Sequence, residues 1–449
     1  VKTLTLFIPE IREILASDRE EALKDLLSGL HPVEIARGFE ELTLEEQLRI
    51  FRVLEDEVAI PLFEELDFEL QSQLLASLSM EKAIHVLDEM SPDERADLFK
   101  RLSPERVKRL FSLMKKEEVE DVVRLLKYRE DTAGGIMTTD FVALPVEMEV
   151  DEAIGYIRNQ VKLENISYVY VVDDKGGLKG VVSLRRLITS RKGATLGEIM
   201  DPDPIKADVG MDQEEVAQMV ATYDLLAIPV VEDGGLVGVV TVDDCIDILS
   251  EEATEDIQKM SGSGYVKDIW RKPAAKVARM RVPWIVICLF GEMISAFIVK
   301  LFSLTLERVI ALAFFIPVIM AMGGNVGTQS SAMITRGFAT GEVDFNKVGK
   351  ILFKEIMIGF FMGLMSGVMV GILAPILHLG DYMLGMVVGA STFIALTVAT
   401  FVGALSPITL RRVGVDPAMA SGPFVTTVVD ITGLLIYFAL ATIFLRYLR

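Results

Sequence analysis

Asp430 is the residue of this 449-residue chain whose chemistry most needs an explanation. It stands six residues into an apolar stretch that begins at Phe424, roughly 9 Å deep at ~1.5 Å per residue. A carboxylate at such depth costs on the order of 2.5–3.5 kcal/mol by insertion scales, so it should face a cavity or a cation. Thr426 lies one turn earlier on the same face, and no Lys or Arg of the stretch neutralises the Asp. A protonated or hydrogen-bonded structural Asp is the competing reading. A second apolar stretch carries Gly323-Gly324-Asn325-Val326-Gly327-Thr328-Gln329-Ser330-Ser331. Glycine-rich polar backbone is tolerated at membrane depth only inside protein or beside a water-filled path. Glu292, in the apolar stretch 282–302, raises the same question as Asp430. One carboxylate per chain is a thin ligand set for a divalent ion, but closed two-fold symmetry would bring two copies together. Magnesium keeps several of its waters, so two carboxylates around a hydrated ion suit it.

A second concentration of carboxylates precedes the apolar half. Asp243, Asp244, Asp247, Glu251, Glu252, Glu255 and Asp256 crowd a helix punctuated by Ile246, Leu249, Ala253 and Ile257. Like charges at i,i+4 cost roughly a few tenths of a kcal/mol each. The run is either a solvated face or a place where divalent cations set the position of a helix leading to the first apolar stretch.

The elements that must position these groups divide near residue 280. Of 65 acidic and 45 basic residues, eight and eleven follow that point, which leaves a net −23 on the first 280. Such repulsion disfavours nucleic acid and anionic lipid as partners of this part. The two cysteines, Cys245 and Cys288, suggest no disulfide framework, and no secretory signal peptide is expected. Five stretches, 282–302, 309–334, 351–379, 383–410 and 424–445, each reach the roughly 20 residues needed to cross a bilayer. Basic residues gather before the first (Arg271, Lys272, Lys276, Arg279, Arg281), between the second and third (Arg336, Lys347, Lys350) and between the fourth and fifth (Arg411, Arg412). This bias places the acidic body in the cytosol and the C-terminus outside a cytoplasmic (inner) membrane. Gly359, Gly363, Gly367 and Gly371 in the third stretch make a smooth strip for a neighbouring helix.

Residues 136 to about 253 repeat themselves. Ile136-Met137 recurs as Ile199-Met200, and Val171-Val172-Asp173 with Leu178–Ser183 recurs as Val230-Val231-Glu232 with Leu236–Thr241. Each copy reads as helix, strand, glycine turn, strand and helix. The spacing resembles a tandem pair of CBS domains. That resemblance implies a small-ligand sensor, commonly for an adenine nucleotide such as ATP held partly by an Asp after the second strand. The second copy keeps such an Asp in Thr241-Val242-Asp243-Asp244, while the first has Arg186 in its place. Before the repeat, helix starts are marked by Leu42-Thr43-Leu44-Glu45, Met90-Ser91-Pro92-Asp93 and Leu102-Ser103-Pro104-Glu105. They predict short helices stacked into a superhelix.

Taken together, the chain resembles the MgtE family of magnesium transporters over nearly its whole length. The most specific strings are Ala133-Gly134-Gly135-Ile136-Met137, Glu252-Ala253-Thr254-Glu255-Asp256-Ile257, the Gly323–Ser331 segment, and Asp416-Pro417-Ala418 running to Asp430-Ile431-Thr432-Gly433. The expected fold is multi-domain: an all-α helical superhelix (1–130), an α/β tandem CBS pair (131–250), an acidic connecting or plug helix with its linker (251–280), and an α-helical bundle of five spans (281–449). The resemblance implies a homodimer with one pore, a hydrated Mg2+ at Asp430 near Thr426 and Asn325, and closure when cytosolic Mg2+ is plentiful. It implies regulatory ligands at Asp93, Asp97 and the backbone of Gly135; at Glu214, the backbone of Ala221, Asp224, Asp244 and Asp247; and at Glu252, Glu255, Asp256 and Asp416. Four positions depart from the family's pattern: Gly422, Thr426 and Thr328 replace Asn, Ala and Asn of some relatives, and Pro61 falls near an expected acidic ligand. A membrane-anchored nucleotide sensor that transports nothing would explain the repeat but not Asp430. A coupled carrier for another divalent cation would explain both. An intramembrane enzyme is disfavoured, since no second intramembrane Asp and no His/Cys/Glu metal pattern accompanies Asp430, and His378 lies at a span end.

Overall fold

The computed structural model describes residues 3–17, 19–159, 166–266, 269–343, 345–377, 381–420 and 422–448. His378 lies outside them. The chain forms two compact units, one closing at Leu249 and one beginning at Ser250.

The first unit opens with short helices between Thr3 and Leu125. Their starts follow the capping signals. Thr43 accepts from the Glu46 amide (3.3 Å), and Glu46 returns a carboxylate oxygen to the Thr43 amide (2.7 Å). Asp67 and Ser79 cap the helices Phe68–Ser77 and Met80–Glu89 by accepting from the Leu70 and Lys82 amides. The helices Pro92–Arg101 and Pro104–Phe111 begin at their prolines as expected. Ser91 departs from the cap pattern: its amide and hydroxyl both donate to Glu64 Oε1 (2.7 and 2.9 Å). The apolar faces build one continuous core around Phe39, Phe51, Phe63, Leu74, Val86 and Leu87.

The repeat folds as two three-stranded sheets of the same design. Strands β1 (Val142–Pro145), β2 (Tyr168–Val172) and β3 (Leu178–Ser183) form the first; β4 (Ala207–Asp208), β5 (Ala227–Glu232) and β6 (Gly235–Thr241) form the second. In each the first pair is parallel and the second antiparallel, with a bulge at Val171/Val172 and again at Val230/Val231. The repeated methionines cross between copies. A Cβ at Gly238 would lie 2.5 Å from Met137 Sδ, and one at Gly180 would lie 2.7 Å from Met200 Sδ. Each glycine thus leaves the space that the opposite copy's Met fills, so the two sheets lock reciprocally.

The second unit holds five helices long and apolar enough to cross a membrane: Ala274–Leu301, Ile310–Ala339, Val348–Ile376, Tyr382–Arg412 and Gly422–Ile443. The glycine strip of the third span meets the fourth. Cβ atoms at Gly363 and Gly367 would each lie 2.6 Å from carbonyl oxygens of Phe393 and Gly389. The packing reading of that strip therefore holds. The fifth span is well enclosed, with Val425, Val429, Gly433, Leu434, Tyr437 and Phe438 buried and the Tyr437 hydroxyl donating to the Leu312 carbonyl (2.8 Å). The first span buries Gly291, Ser295 and Ile298 alone among its residues.

Candidate ion path and cation sites

The polar string of the second span is continuous helix, and its two faces do different work. Gly323, Gly324 and Gly327 are buried against the fifth span. Cβ atoms there would lie 2.9 Å from Val429, 3.0 Å from Thr426 Cγ2 and 3.0 Å from Val429. Gly403 of the fourth span presses on the Gly327 carbonyl from the other side. Absent side chains thus let three helices close in around Val425–Asp430. On the opposite face Asn325 and Gln329, one turn apart, are exposed at a depth where lipid offers no hydrogen bonds. Such a face requires water or a further protein surface beside it.

Asp430 is 5% exposed, and its Oδ1 has no hydrogen-bond partner. Glu292 of the first span is an ionisable neighbour, brought level by the contact of Gly291 with Thr427. The carboxylate that raises the same question as Asp430 in the sequence thus stands beside it. Thr426 is half-buried and donates to its own Gly422 carbonyl (2.9 Å), not to Asp430. A buried carboxylate with a free lone pair and a second carboxylate near it are suited to hydrogen-bond the waters of a hydrated cation.

In the first unit, Asp93 and Asp244 are brought together. Burial, then the charge of Asp244, pushes the Asp93 carboxyl up to about 7. Burial raises Asp244 to about 6 with help from Asp243 and Asp247, against the stabilising hydroxyl of Thr241, which donates to Asp244 Oδ2 (2.5 Å). Glu64 adds to the charge around Asp93, and Glu65 is raised by burial and by Asp247. Sequence reasoning missed Glu64 and Glu65, although it expected an acidic residue near Pro61. Asp97 is exposed and pairs with Lys100 (2.8 Å). Gly135 is buried where a Cβ would strike the Arg129 carbonyl. Glu214 accepts from Gln218 Nε2 (3.1 Å). Ala221 lies in the last turn of the helix Gln213–Thr222, and Asp224 follows at φ +52°, so helix-end carbonyls and a carboxylate share one turn.

The connecting helix runs from Val242 to Met260, and its end, within the second unit, lies against the start of the fifth span. Lys259 Nζ bonds both Glu255 and Asp416, and Asp416 Oδ1 accepts from the Ala418 amide (2.8 Å). Burial opposes the Lys259 charge, but the Asp416 and Glu255 hydrogen bonds outweigh it and raise its pKa. Burial, then the charge of Asp416, raises Asp256 to about 6; Glu252 contributes further. Lys259 was also missed, though its i,i+4 spacing from Glu255 was a readable signal. Among the described residues no three His, Cys, Asp or Glu side chains converge as a metal site. The carboxylates that the sequence singled out are therefore not assembled into complete ligand sets among the described residues.

Comparison with known proteins follows the same division. Residues 30–131 match a family model described as the MgtE intracellular N domain, 133–193 and 196–251 match the CBS domain, and 316–440 match MgtE, a divalent cation transporter. Magnesium transporter MgtE of Thermus thermophilus is 43% identical over 326 residues, covering 72% of this chain and 72% of its own length. The protein of the same name from Bacillus subtilis is 41% identical over 327 residues, again 72% of each. The crystal structure of the cytosolic domain of the Mg2+ channel MgtE in complex with ATP is 36% identical, with a TM-score of 0.51 over 53% of this chain and 98% of that one. From helical N domain through CBS pair to five apolar spans, this chain belongs to the MgtE family of magnesium transporters.

Proposed function

We propose that the protein is a magnesium channel or transporter of the cytoplasmic membrane that cytosolic Mg2+ closes. The observation that carries the reading is the Asp430 carboxylate, 5% exposed inside a span with Oδ1 unpartnered. In a homodimer, two Asp430 side chains would flank a hydrated ion, with Thr426 and Asn325 supplying polar lining; the exposed Asn325–Gln329 face supports a second copy or a water path there. Residues 1–130, 131–250, 251–280 and 281–449 would serve as N domain, CBS pair, plug and pore. The N-terminal domains would lie in the cytosol and the C-terminus outside.

Closure is a matter of linkage. Cytosolic Mg2+ would bind Asp93, Asp97, Gly135, Glu214, Ala221, Asp224, Asp244 and Asp247, and Glu252, Glu255, Asp256 and Asp416 at the plug. Binding favours whichever arrangement brings these groups together, by no more than the difference in affinity between the two states. Acidic repulsion favours the open form when Mg2+ is scarce. The relative solved with ATP supports nucleotide binding at the CBS pair, where Asp244 keeps the acidic position and Arg186 does not.

Mg2+ flux into liposomes, parent against Asp430→Ala, tests the pore site. Loss of flux with retained insertion and dimer size is expected. Unchanged flux would contradict the assignment and favour an anchored sensor; flux that requires a sodium or proton gradient would make the protein a coupled carrier.

A further inference from the structure

The end of the connecting helix is seated on the fifth span with little slack. Gly422 sits at φ +40°, and a Cβ there would lie 2.6 Å from the Met260 carbonyl oxygen. Gly262, at φ +71°, faces Pro423, whose Cγ would lie 2.7 Å from its Cβ. Two glycines in left-handed backbone, one on each partner, thus define the contact. Beside it the Lys259 ammonium joins Glu255 of its own helix to Asp416, which precedes the fifth span. Asp416 is held by its other oxygen on the Ala418 amide, so Oδ2 is presented in a fixed direction. Lys259, Glu255 and Asp416 retain 24%, 26% and 31% exposure, so the ammonium has a way out to solvent on its flexible stem.

We propose that Lys259 is a tethered counter-ion of the gate: with the connecting helix seated, its ammonium occupies the place between Glu255 and Asp416, and a divalent cation must displace it to bridge them. The residue thereby sets the Mg2+ concentration at which the connecting helix is locked to the fifth span. This rests on the cation gate proposed above. One positive charge neutralises two carboxylates incompletely, and Asp256 stands close by. A divalent ion supplies the missing charge, but it competes with a ligand that is covalently present at all times. Gly422 belongs to the same device, since a side chain there would push the Met260 carbonyl, and Lys259 with it, away from the span.

The test uses the full chain in liposomes. The two tryptophans are Trp270 and Trp284, and Trp284 Cβ lies 3.8 Å from where a Gly262 side chain would begin. In a Trp270→Phe background the Trp284 emission therefore reports seating of the connecting helix without any ion flux. Mg2+ is titrated into the parent, Lys259→Met and Lys259→Arg, reading both Trp284 emission and current. Lys259→Met should reach half-effect at a Mg2+ concentration lower by at least about fivefold, the lower end of typical couplings between sites. Lys259→Arg, which keeps the charge, should titrate like the parent. Should Lys259→Met fail to fold, Lys259→Gln carries the same expectation. A half-effect unchanged or raised in the neutral variants overturns the inference, as does an Arg variant that shifts with Met. A parent that responds to Mg2+ while the neutral variants do not shift sinks this inference alone; a parent with no response in either readout sinks the gate as well.

Discussion

The charges acting on Asp93 are those of other carboxylates, Asp244 and Glu64, whereas Glu255 and Asp416 share the ammonium of Lys259. Two acidic clusters of one chain are thus handled in opposite ways. At Asp93 and Asp244 burial first, and then the charges of neighbouring carboxylates, raise both carboxyls, to about 7 and about 6. Around Lys259 the protein has built the counter-charge into its own sequence. Repulsion kept uncompensated makes a region responsive to an external cation. Repulsion compensated internally makes an external cation compete with the protein's own charge for the same carboxylates. On the gating proposed above, acidic surfaces of similar composition would serve as a sensor in one place and as a latch in the other.

The comparison is broken most sharply by removing one carboxylate from each cluster. Asp93→Asn relieves repulsion, and amide-exchange protection of Pro92–Arg101 without divalent cation should rise by about 1–2 kcal/mol, discounted for the partial exposure of Asp93. Asp416→Asn strips Lys259 of a partner, and protection at the end of the connecting helix should fall by about 1–2 kcal/mol. Effects of the same sign would end the contrast.

A smaller effect is expected from pH. Folded pKa values of about 7 and about 6 lie above the ordinary 3.8. The folded form therefore binds protons more tightly than the unfolded between those limits, and stability falls as pH rises through the window. Protection of Pro92–Arg101, corrected for intrinsic exchange, should decline from pH 5 to pH 8, and Asp93→Asn or saturating Mg2+ should flatten the decline. Asp97, exposed and paired with Lys100, sets the lower bound. Asp97→Asn should change the same protection by less than about 0.5 kcal/mol without Mg2+.

Much of this was legible in the sequence, and the illegible part has a common cause. Five apolar stretches, the capped helix starts at Leu44, Pro92 and Pro104, and the doubled Ile-Met and strand motifs are local or periodic signals. The glycine strip announced a close helix contact, though not that the fourth span makes it. Lys259 and Asp416 are 157 residues apart, and Asp93 and Asp244 lie on different domains of one unit. The family resemblance supplied the names of the carboxylates. It could not supply the lysine that neutralises one pair of them, nor the place of Glu292 beside Asp430, because such contacts follow from tertiary register.

The central claim is that Asp93 and Asp244 await a divalent cation that closes the protein. It is tested most directly by stepping cytosolic Mg2+ under patch clamp in the parent and in the double variant Asp93→Asn, Asp244→Asn. The account predicts that current in the double variant persists at Mg2+ levels that silence the parent. Closure of both at the same concentration would contradict it.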